Sequence, residues 1–333
     1  IAVVGAFGGV VPQLCGPLAW LLSWVIRLIL WMARLMSRIP FAAVYTQSGF
    51  VIAWLIFAYC LAALFLCRRR HFLRFFLVGI IGLTAAIAAS VVVPRMDDLR
   101  LTALDVGEGQ AILLQSSGKN YLIDCGGDSE TRAADEIAQT LLSQGLFRLD
   151  GLVLTHYDQD HVNAVENLLT RIKIDRFYLP ESGQAELAQR LGAEYPEDIQ
   201  WIESDSQIAL PSGTINLLAP NSTETANENC MCVLFDSKEC VILITGDRGR
   251  AGERELLQNY TLPDVDVLIA GHHGSKNSTT EELLHAVRPE VVIISAGENN
   301  RYGHPARALL ERLTAFGCTV YRTDLQGSVL IRR

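Results

Sequence analysis

The sequence predicts an α/β domain preceded by transmembrane α-helices. Residues 1–96 contain eight arginines and no Lys, Asp or Glu, whereas residues 97–333 combine 36 acids with 20 basic residues. In the second part, apolar stretches with the periods of strands and helices alternate. This division excludes a simple soluble enzyme, an all-membrane transporter, a disordered chain and a protein that coats nucleic acid through positive charge.

Two uncharged stretches, 49–67 and 75–93, are predicted to span a membrane. Each contains 19 residues, and a bilayer core needs about 20. Four arginines lie between them, in 68–74, and a short basic loop favours the cytoplasmic side of the membrane. The domain that follows the second span is therefore predicted to be extracytoplasmic.

Residues 18–38 predict a different kind of helix. Arg27, Arg34 and Arg38 fall on one side of it, and the remainder is mostly Leu, Ile and Trp. This pattern fits either an interfacial helix or a spanning helix whose basic stripe faces a polar path. Because the sequence opens within an apolar run and without Met, we interpret it as the C-terminal fragment of a larger membrane protein.

The globular domain is predicted to occupy 97–333, because Pro94 ends the second span and the acids begin just after it. Two β-rich halves, each followed by helices, predict two packed sheets with helices outside. The predicted strands are 99–105, 110–116, 120–124, 150–155, 175–179, 206–210, 214–219, 230–236, 239–245, 264–270, 290–295, 318–322 and 327–332. The predicted helices are 131–144, 161–170, 184–192, 250–259, 279–287 and 305–315.

The motif THYDQDH directly follows the apolar strand predicted at 150–155. It carries four side chains of the types that bind metals, which are His156, Asp158, Asp160 and His161. Imidazole and carboxylate groups so close together, on a loop that leaves a strand, can converge on metal ions. The alternative is a solvated loop with chance acids, and the scarcity of histidine in the chain argues against it.

Other histidines and one aspartate also follow apolar strands or stand beside glycine. His272 and His273 stand in IAGHHGS, His304 stands in NRYGHP, and Asp247 ends the apolar stretch VILITGD. A carboxylate at the end of a buried strand can use both oxygens to bridge two cations. Although a Gly-Asp turn by itself is common, its combination with the three histidine motifs predicts a metal centre.

Together with LDVGEGQA and LIDCGG, these motifs resemble the metallo-β-lactamase fold. More closely, they resemble the C-terminal domain of the ComEC competence proteins, the DNA-uptake channels of naturally transformable bacteria. The resemblance covers about residues 99–333, and the preceding helices resemble the end of that family's membrane channel domain. It implies an αβ/βα sandwich with a metal site at the sheet edges, and passage of single-stranded DNA across the bacterial inner membrane. A nuclease activity on the strand left behind is proposed for such domains.

The resemblance also implies roles for individual residues. The implied metal ligands are His156, Asp158, Asp160, His161, Asp247 and His304, the last being either a ligand or a catalytic histidine. His272 and His273 border the site, and which of the three late histidines coordinates stays open. As a hypothesis for the reaction, either Asp160 or the metal-bound partners of the hydroxide accept the proton, and His272, His273 or His304 protonates the leaving oxygen. Asp105 and Asp124 are expected to support the ligands by hydrogen bonds.

The implied cofactor is one or two divalent ions, Zn²⁺ or Mn²⁺, which lower the pKa of a bound water. Asp158 stands where the wider superfamily has His, which makes the site richer in oxygen and compatible with Mn²⁺. The third-motif His of the superfamily is missing, and the equivalent stretch NENCMC offers Asn229, a weak neutral ligand. One metal position is therefore expected to be poorly held. Gln110 stands where many relatives have Asp.

Ser275, Lys276 and Arg301 are the candidate phosphate contacts, because each lies close to a motif histidine. The net charge of −16 in 97–333 argues against tight non-specific DNA binding by the domain alone. A DNA path then needs a local basic groove or partners, such as other competence or DNA-receptor proteins and the missing N-terminal part of the chain. Three functions stay open: a phosphodiesterase acting on incoming DNA, a transport protein with a catalytically weak domain, and a metallo-hydrolase of another substrate.

Overall fold

The computed structural model describes residues 12–37, 49–68, 72–92, 99–181, 198–220 and 229–333. The helix predicted at 184–192 and the domain boundary predicted near residue 96 lie outside these ranges. The helix α1 (Pro12–Ser37) belongs to a unit separate from the remainder. Its tryptophan rings Trp20, Trp24 and Trp31 are exposed, which suits an interfacial as well as a spanning helix.

The helices α2 (Gly49–Arg68) and α3 (Phe72–Val92) are long and apolar enough to cross a membrane. Windows of 18 residues within them reach a mean hydropathy of 2.4 and 2.0. Nε1 of Trp54 donates a hydrogen bond to the carbonyl of Gly79 at 2.9 Å. This bond joins the two helices and satisfies the indole N–H without water, as an apolar surrounding requires.

The globular domain contains 16 strands within the described residues. They are β1 (Leu99–Ala103), β2 (Ile112–Ser116), β3 (Lys119–Ile123), β4 (Arg148–Leu149), β5 (Gly151–Val153), β6 (Lys173–Ile174), β7 (Phe177–Pro180), β8 (Ile199–Ile202), β9 (Ser206–Leu210), β10 (Gly213–Leu218), β11 (Cys232–Ser237), β12 (Val241–Ile244), β13 (Val267–Ile269), β14 (Val291–Ile294), β15 (Thr319–Arg322) and β16 (Val329–Arg332).

Two seven-stranded sheets are built on the same plan. The first has the order β16-β1-β2-β3-β5-β7-β8, and the second has the order β15-β14-β13-β12-β11-β10-β9. The outer part of each sheet, β16 to β3 and β9 to β12, is antiparallel. The rest of each sheet is parallel. The strands that precede the candidate ligands, β5, β12, β13 and β14, all lie in the parallel parts or at their borders.

Helices cover the outer faces of both sheets. They are α4 (Glu130–Ser143), α5 (Gln159–Val162), α6 (Val165–Leu169), α7 (Arg250–Asn259), α8 (Glu281–Val287) and α9 (Arg307–Phe316), while the short helix α10 (Thr323–Gln326) connects β15 to β16. Because successive side chains of a strand point to opposite faces, Ile123 and Ile242 pack between the sheets. Their neighbours Leu122 and Leu243 pack against the helical layers. The four layers form the αβ/βα sandwich expected from the sequence.

Several elements differ from the local predictions, among them the short strands β4 and β6 and the helix α10, which the sequence did not predict. The helix predicted at 161–170 is divided between α5 and α6, because the Ala164 N–H donates to the carbonyl of Cys125 at 3.0 Å instead of to the preceding helical turn. The side chain of Asn163 is bound to the backbone of Gly127: its Oδ1 accepts from the Gly127 N–H at 3.1 Å and its Nδ2 donates to the Gly127 carbonyl at 2.6 Å. The strand β8, which the sequence did not predict, pairs in parallel with β7 at the edge of the first sheet.

Candidate metal centre

Loops from both sheets bring the candidate ligands together. THYDQDH follows β5 of the first sheet, while Asp247, His272 and His273 follow β12 and β13 of the second. The carboxyl ends of these strands meet at one edge of the sandwich, where such sheets place their sites. Side chains separated by more than 80 positions along the chain thus share one small volume.

Asp247 is at the centre of the cluster and presents its two oxygens to different partners. Its Oδ1 lies 3.0 Å from Nε2 of His161 and 3.8 Å from Nε2 of His273. These two imidazole nitrogens are 3.2 Å apart, and Nε2 of His273 is 3.3 Å from Oδ2 of Asp160. All four ligand atoms lie within 4.8 Å of one another. We name this group the inner half of the cluster.

The second oxygen of Asp247 faces the remaining ligand candidates. Its Oδ2 lies 3.6 Å from Nε2 of His272 and 3.9 Å from Nε2 of His156. Nε2 of His156 is in turn 3.7 Å from Oδ2 of Asp158. We name Asp158, His156, His272 and this oxygen the outer half.

The donor atoms fit divalent cations. Nε2 of His156 is buried and has no hydrogen-bond partner within the described part of the chain. A buried polar atom without a partner is costly, and a bound cation would satisfy it. Imidazole nitrogen together with carboxylate oxygen is a donor set for Zn²⁺ or Mn²⁺.

The protonation of the cluster favours ligation at His156, Asp160 and Asp247 only. Burial, followed by the neighbouring His161, lowers the pKa of His156 to about 4, so its ring is neutral at physiological pH. Burial acts to raise the pKa of Asp160, but its hydrogen bond with His273 and the charges of His161 and His273 outweigh burial and lower it to about 2. The pKa of Asp247 lies well below its usual value, because nearby histidines outweigh its burial. Burial acts to lower the pKa of His161 and of His273, but the neighbouring carboxylates outweigh it and raise both, so a cation would have to displace a proton from these rings.

Asp124 fixes the ring of His161 through its carboxylate. Its fully buried carboxylate accepts from Nδ1 of His161 at 2.7 Å and from the Thr155 N–H at 2.7 Å. It also accepts from Nε2 of Gln110 at 2.7 Å. The amide of Gln110 is therefore an additional donor to Asp124, although sequence reasoning treated this position only as a departure from the family pattern.

The segment Gly271–Gly274 places two consecutive histidines in different halves of the cluster. His272 and His273 both have left-handed backbone angles, with φ of 49° and 52°. Such angles are strained for residues with a Cβ and are found at functional sites. Nδ1 of His273 donates to the carbonyl of Ser295 at 3.1 Å, which directs its Nε2 toward the inner half.

His304 lies beside the cluster and is held by a residue that sequence reasoning did not assign. Its Nδ1 donates to Oε1 of the buried Glu108 at 3.0 Å, and Oε2 of Glu108 accepts from the Gly297 N–H at 2.9 Å. The ring of His304 lies 5.7 Å from that of His272 and 6.5 Å from that of His273. Glu108 stands between two glycines in LDVGEGQA. This acidic residue within an apolar, glycine-rich stretch is the sequence feature that could have marked it as part of the site.

The other predicted residues lie around the cluster. Lys276 is exposed, and Arg301 is exposed and donates to the hydroxyl of Tyr302 at 2.8 Å. Ser275 is nearly buried, and its Oγ accepts from the Asn277 N–H at 3.4 Å. Asp105 and Asn229 are both half-buried. The carboxylate of Asp105 accepts from the Gly107 N–H at 3.4 Å, and Asn229 precedes the buried Cys230.

The sequence profile of the Metallo-beta-lactamase superfamily matches residues 104–298. The chain belongs to this superfamily. Its relatives include ComE operon protein 3 of Bacillus subtilis, 27% identical over 93% of the chain. Competence protein ComA of Neisseria gonorrhoeae is 29% identical over 97%, and Recombination protein 2 of Haemophilus influenzae is 32% identical over 70%. These relatives confirm the resemblance to ComEC-family competence proteins with a metallo-β-lactamase domain.

The chain spans less than half the length of these relatives, namely 43%, 44% and 28% of them. The matches in Bacillus subtilis and Neisseria gonorrhoeae extend over nearly the whole chain. They therefore include the apolar helices α2 and α3 as well as the superfamily domain. The similarity to these two relatives therefore covers both the helical part of the chain and its metallo-β-lactamase domain.

Proposed function

We propose that this chain is part of an inner-membrane DNA-uptake channel for natural transformation, and that its domain hydrolyses phosphodiester bonds of incoming DNA with the help of divalent metal ions. The observation that supports the reaction best is the position of Asp247. One carboxylate with an oxygen toward each of two sets of imidazole and carboxylate groups suits a pair of cations. Members of the superfamily are typically metal-dependent hydrolases.

The inner half of the cluster would hold one ion and the outer half the other, with Asp247 shared. In the outer half, His272 would take the place that the missing third-motif His leaves vacant, because it lies 3.6 Å from Oδ2 of Asp247. Asn229 would then not be required as a ligand. Divalent ions there would supply Lewis acidity and a bound water of lowered pKa.

The chain's own residues would bind the substrate and move a proton. His304 would serve as the proton donor to the leaving oxygen, because Glu108 occupies its Nδ1 and leaves Nε2 available to a substrate. Asp160 would accept a proton on the other side. Lys276, Arg301 and the backbone near Ser275 would contact phosphates at the exposed rim of the site.

The division into a membrane part, 1–96, and an extracytoplasmic domain, 97–333, belongs to this proposal. The packed pair α2 and α3 would cross the membrane, with the arginines of 68–74 on the cytoplasmic side. The expected partners are single-stranded DNA, the membrane, other competence or DNA-receptor proteins, and the rest of the channel. Such partners would supply the DNA affinity that the acidic domain lacks.

The test uses the purified chain in detergent with labelled single-stranded DNA and added Mn²⁺ or Zn²⁺. We expect cleavage by the wild type and none by Asp160→Ala. The matched control is Asp264→Ala, since Asp264 is an exposed carboxylate that precedes β13, at the end of that strand away from His272. A wild type that binds no divalent ion and cuts no DNA would favour transport without catalysis. Rapid hydrolysis of a lactam without DNA cleavage would favour a hydrolase of another substrate.

A further inference from the structure

A polar cavity of about 480 Å³ opens beside the metal centre. Asp160, a member of the inner half, forms part of its wall, and so does Glu108, the partner of His304. The segment 298–302 also lines the cavity. A group that occupies this cavity is therefore adjacent to both the cluster and the proposed proton donor.

The charge of the lining determines what the cavity can accept. Four carboxylates line it, those of Glu108, Asp128, Asp160 and Glu298, and Arg301 is the one cation among its lining residues. A second phosphate would be repelled there. The cavity suits an uncharged group with polar edges, and its volume is in the range of sites for small organic molecules.

An aromatic ring stands at the rim of this cavity. Tyr302 is 57% exposed. Its plane is within 21° of that of the His304 ring, at 5.9 Å between centroids. The guanidinium of Arg301 lies 5.0 Å from its centroid. Exposed aromatic rings, with an arginine beside them, are the surfaces on which bases of single-stranded nucleic acid stack.

The loop that carries Tyr302 is tied together from within. Oδ1 of Asn300 accepts from the backbone N–H groups of Tyr302 at 3.1 Å and of His304 at 3.0 Å. Its Nδ2 donates to the carbonyls of Gly297 and His304. Because one side chain makes four bonds inside the loop, the backbone that carries Tyr302 is held in place before any substrate arrives.

We propose that this cavity holds the base and sugar of the nucleotide next to the phosphate that is cleaved, with the base stacked on Tyr302. The proposal rests on the proposed function, since it names the part of a single-stranded DNA substrate that the site recognises. The phosphates of the strand would then lie along the exposed rim near Lys276, outside the acidic cavity. Stacking on a ring face accepts every base, so recognition would be independent of sequence.

The first test compares oligo-dT with an oligonucleotide of the same length whose sugars carry no bases. We expect the wild type to cleave oligo-dT with a kcat/KM about 5- to 150-fold higher, the range that one stacked base contributes. Tyr302→Ala should lose this preference, whereas Tyr302→Phe, which keeps the ring, should retain it. Tyr321→Ala is the matched control, because Tyr321 is also a partly exposed tyrosine but lies on β15.

The second test needs neither metal nor cleavage. An oligonucleotide that contains 2-aminopurine and uncharged methylphosphonate links is titrated with protein in EDTA, and its fluorescence is measured. The wild type and Tyr302→Phe should quench it by stacking, and Tyr302→Ala should not. The proposal of a base pocket is wrong if the wild type does not quench the fluorescence. It is also wrong if Tyr302→Ala and the wild type cleave oligo-dT with equal kcat/KM. If the fluorescence is quenched through Tyr302 but the protein cuts no DNA, the nuclease function is wrong and the base pocket is still supported.

Discussion

Oε1 of Glu108 lies 3.0 Å from Nδ1 of His304, although 196 positions separate the two residues in the chain. The other oxygen of Glu108 is held by the Gly297 N–H. The carboxylate therefore cannot turn away, and the imidazole that it holds is fixed in both orientation and tautomer. A histidine placed in this way is suited to deliver a proton along one direction only.

Glu108→Gln is expected to lower kcat for DNA cleavage by about 10- to 100-fold, with KM nearly unchanged. Glutamine has one acceptor oxygen for the two donors that Glu108 satisfies, so the ring of His304 loses its fixed orientation. Steady-state kinetics on single-stranded DNA measure this effect. Glu311→Gln, which changes an exposed carboxylate on α9, should leave kcat as in the wild type. An unchanged kcat in the Glu108 variant would contradict the positioning role.

Asp247→Asn is expected to reduce the metal content of the purified chain at both halves of the cluster, whereas Asp158→Asn should affect the outer half alone. The reason is that Asp247 faces both halves, while Asp158 contacts His156 of the outer half. Elemental analysis after dialysis against a defined Mn²⁺ or Zn²⁺ concentration gives the stoichiometry. If the two variants lose the same amount of bound metal, the two halves of the cluster are not separate metal positions.

Gln110→Glu is expected to destabilise the folded chain by about 1–3 kcal/mol near neutral pH. The substitution replaces the N–H group that lies 2.7 Å from Oδ2 of Asp124 by an oxygen. Two buried carboxylates would then face each other, and protonation at lower pH should recover part of the loss. Denaturant unfolding in detergent measures it, with Gln115→Glu as the control at a half-buried glutamine on β2. A control that loses as much stability would refute a specific role of Gln110.

Glu253 gives a prediction for the pH dependence of stability. Burial raises its pKa to about 7 from the ordinary 4.5, against the hydrogen bonds from Thr279 and Thr280. The folded state thus binds this proton more tightly than the unfolded state does. The contribution of Glu253 to stability is therefore largest at low pH and is lost as the pH rises from about 4.5 through about 7.

Glu253→Gln removes this titration. The free energy of unfolding of the wild type, relative to the variant, should be greater at about pH 5 than at about pH 8, by about 1.4 kcal/mol for each unit of the pKa difference. Denaturant unfolding at both pH values, in the same detergent, provides the comparison. A difference that does not change with pH would mean that Glu253 has the same pKa in both states.

The sequence predicted those parts of the molecule that depend on local patterns. The ligand motif THYDQDH was recognisable because its residues lie within one loop after an apolar strand, and α7 was predicted with its bounds at residues 250 and 259. The pairing of Glu108 with His304 was not predictable in this way, because it depends on how two sheets bring distant loops together. The separation of His272 from His273 depends on two left-handed residues in succession, for which the sequence offers no rule.

Asp247 has a consequence for how such a site can change over time. Asp158 and Asp160 each belong to one half of the cluster, so a substitution at either alters the chemistry of that half and leaves the other intact. Asp247 differs from them, because its two oxygens face different halves and a replacement changes the donor atoms of both. In the proposed metal centre, each half could therefore change its donor set independently of the other, whereas a change at position 247 would alter both.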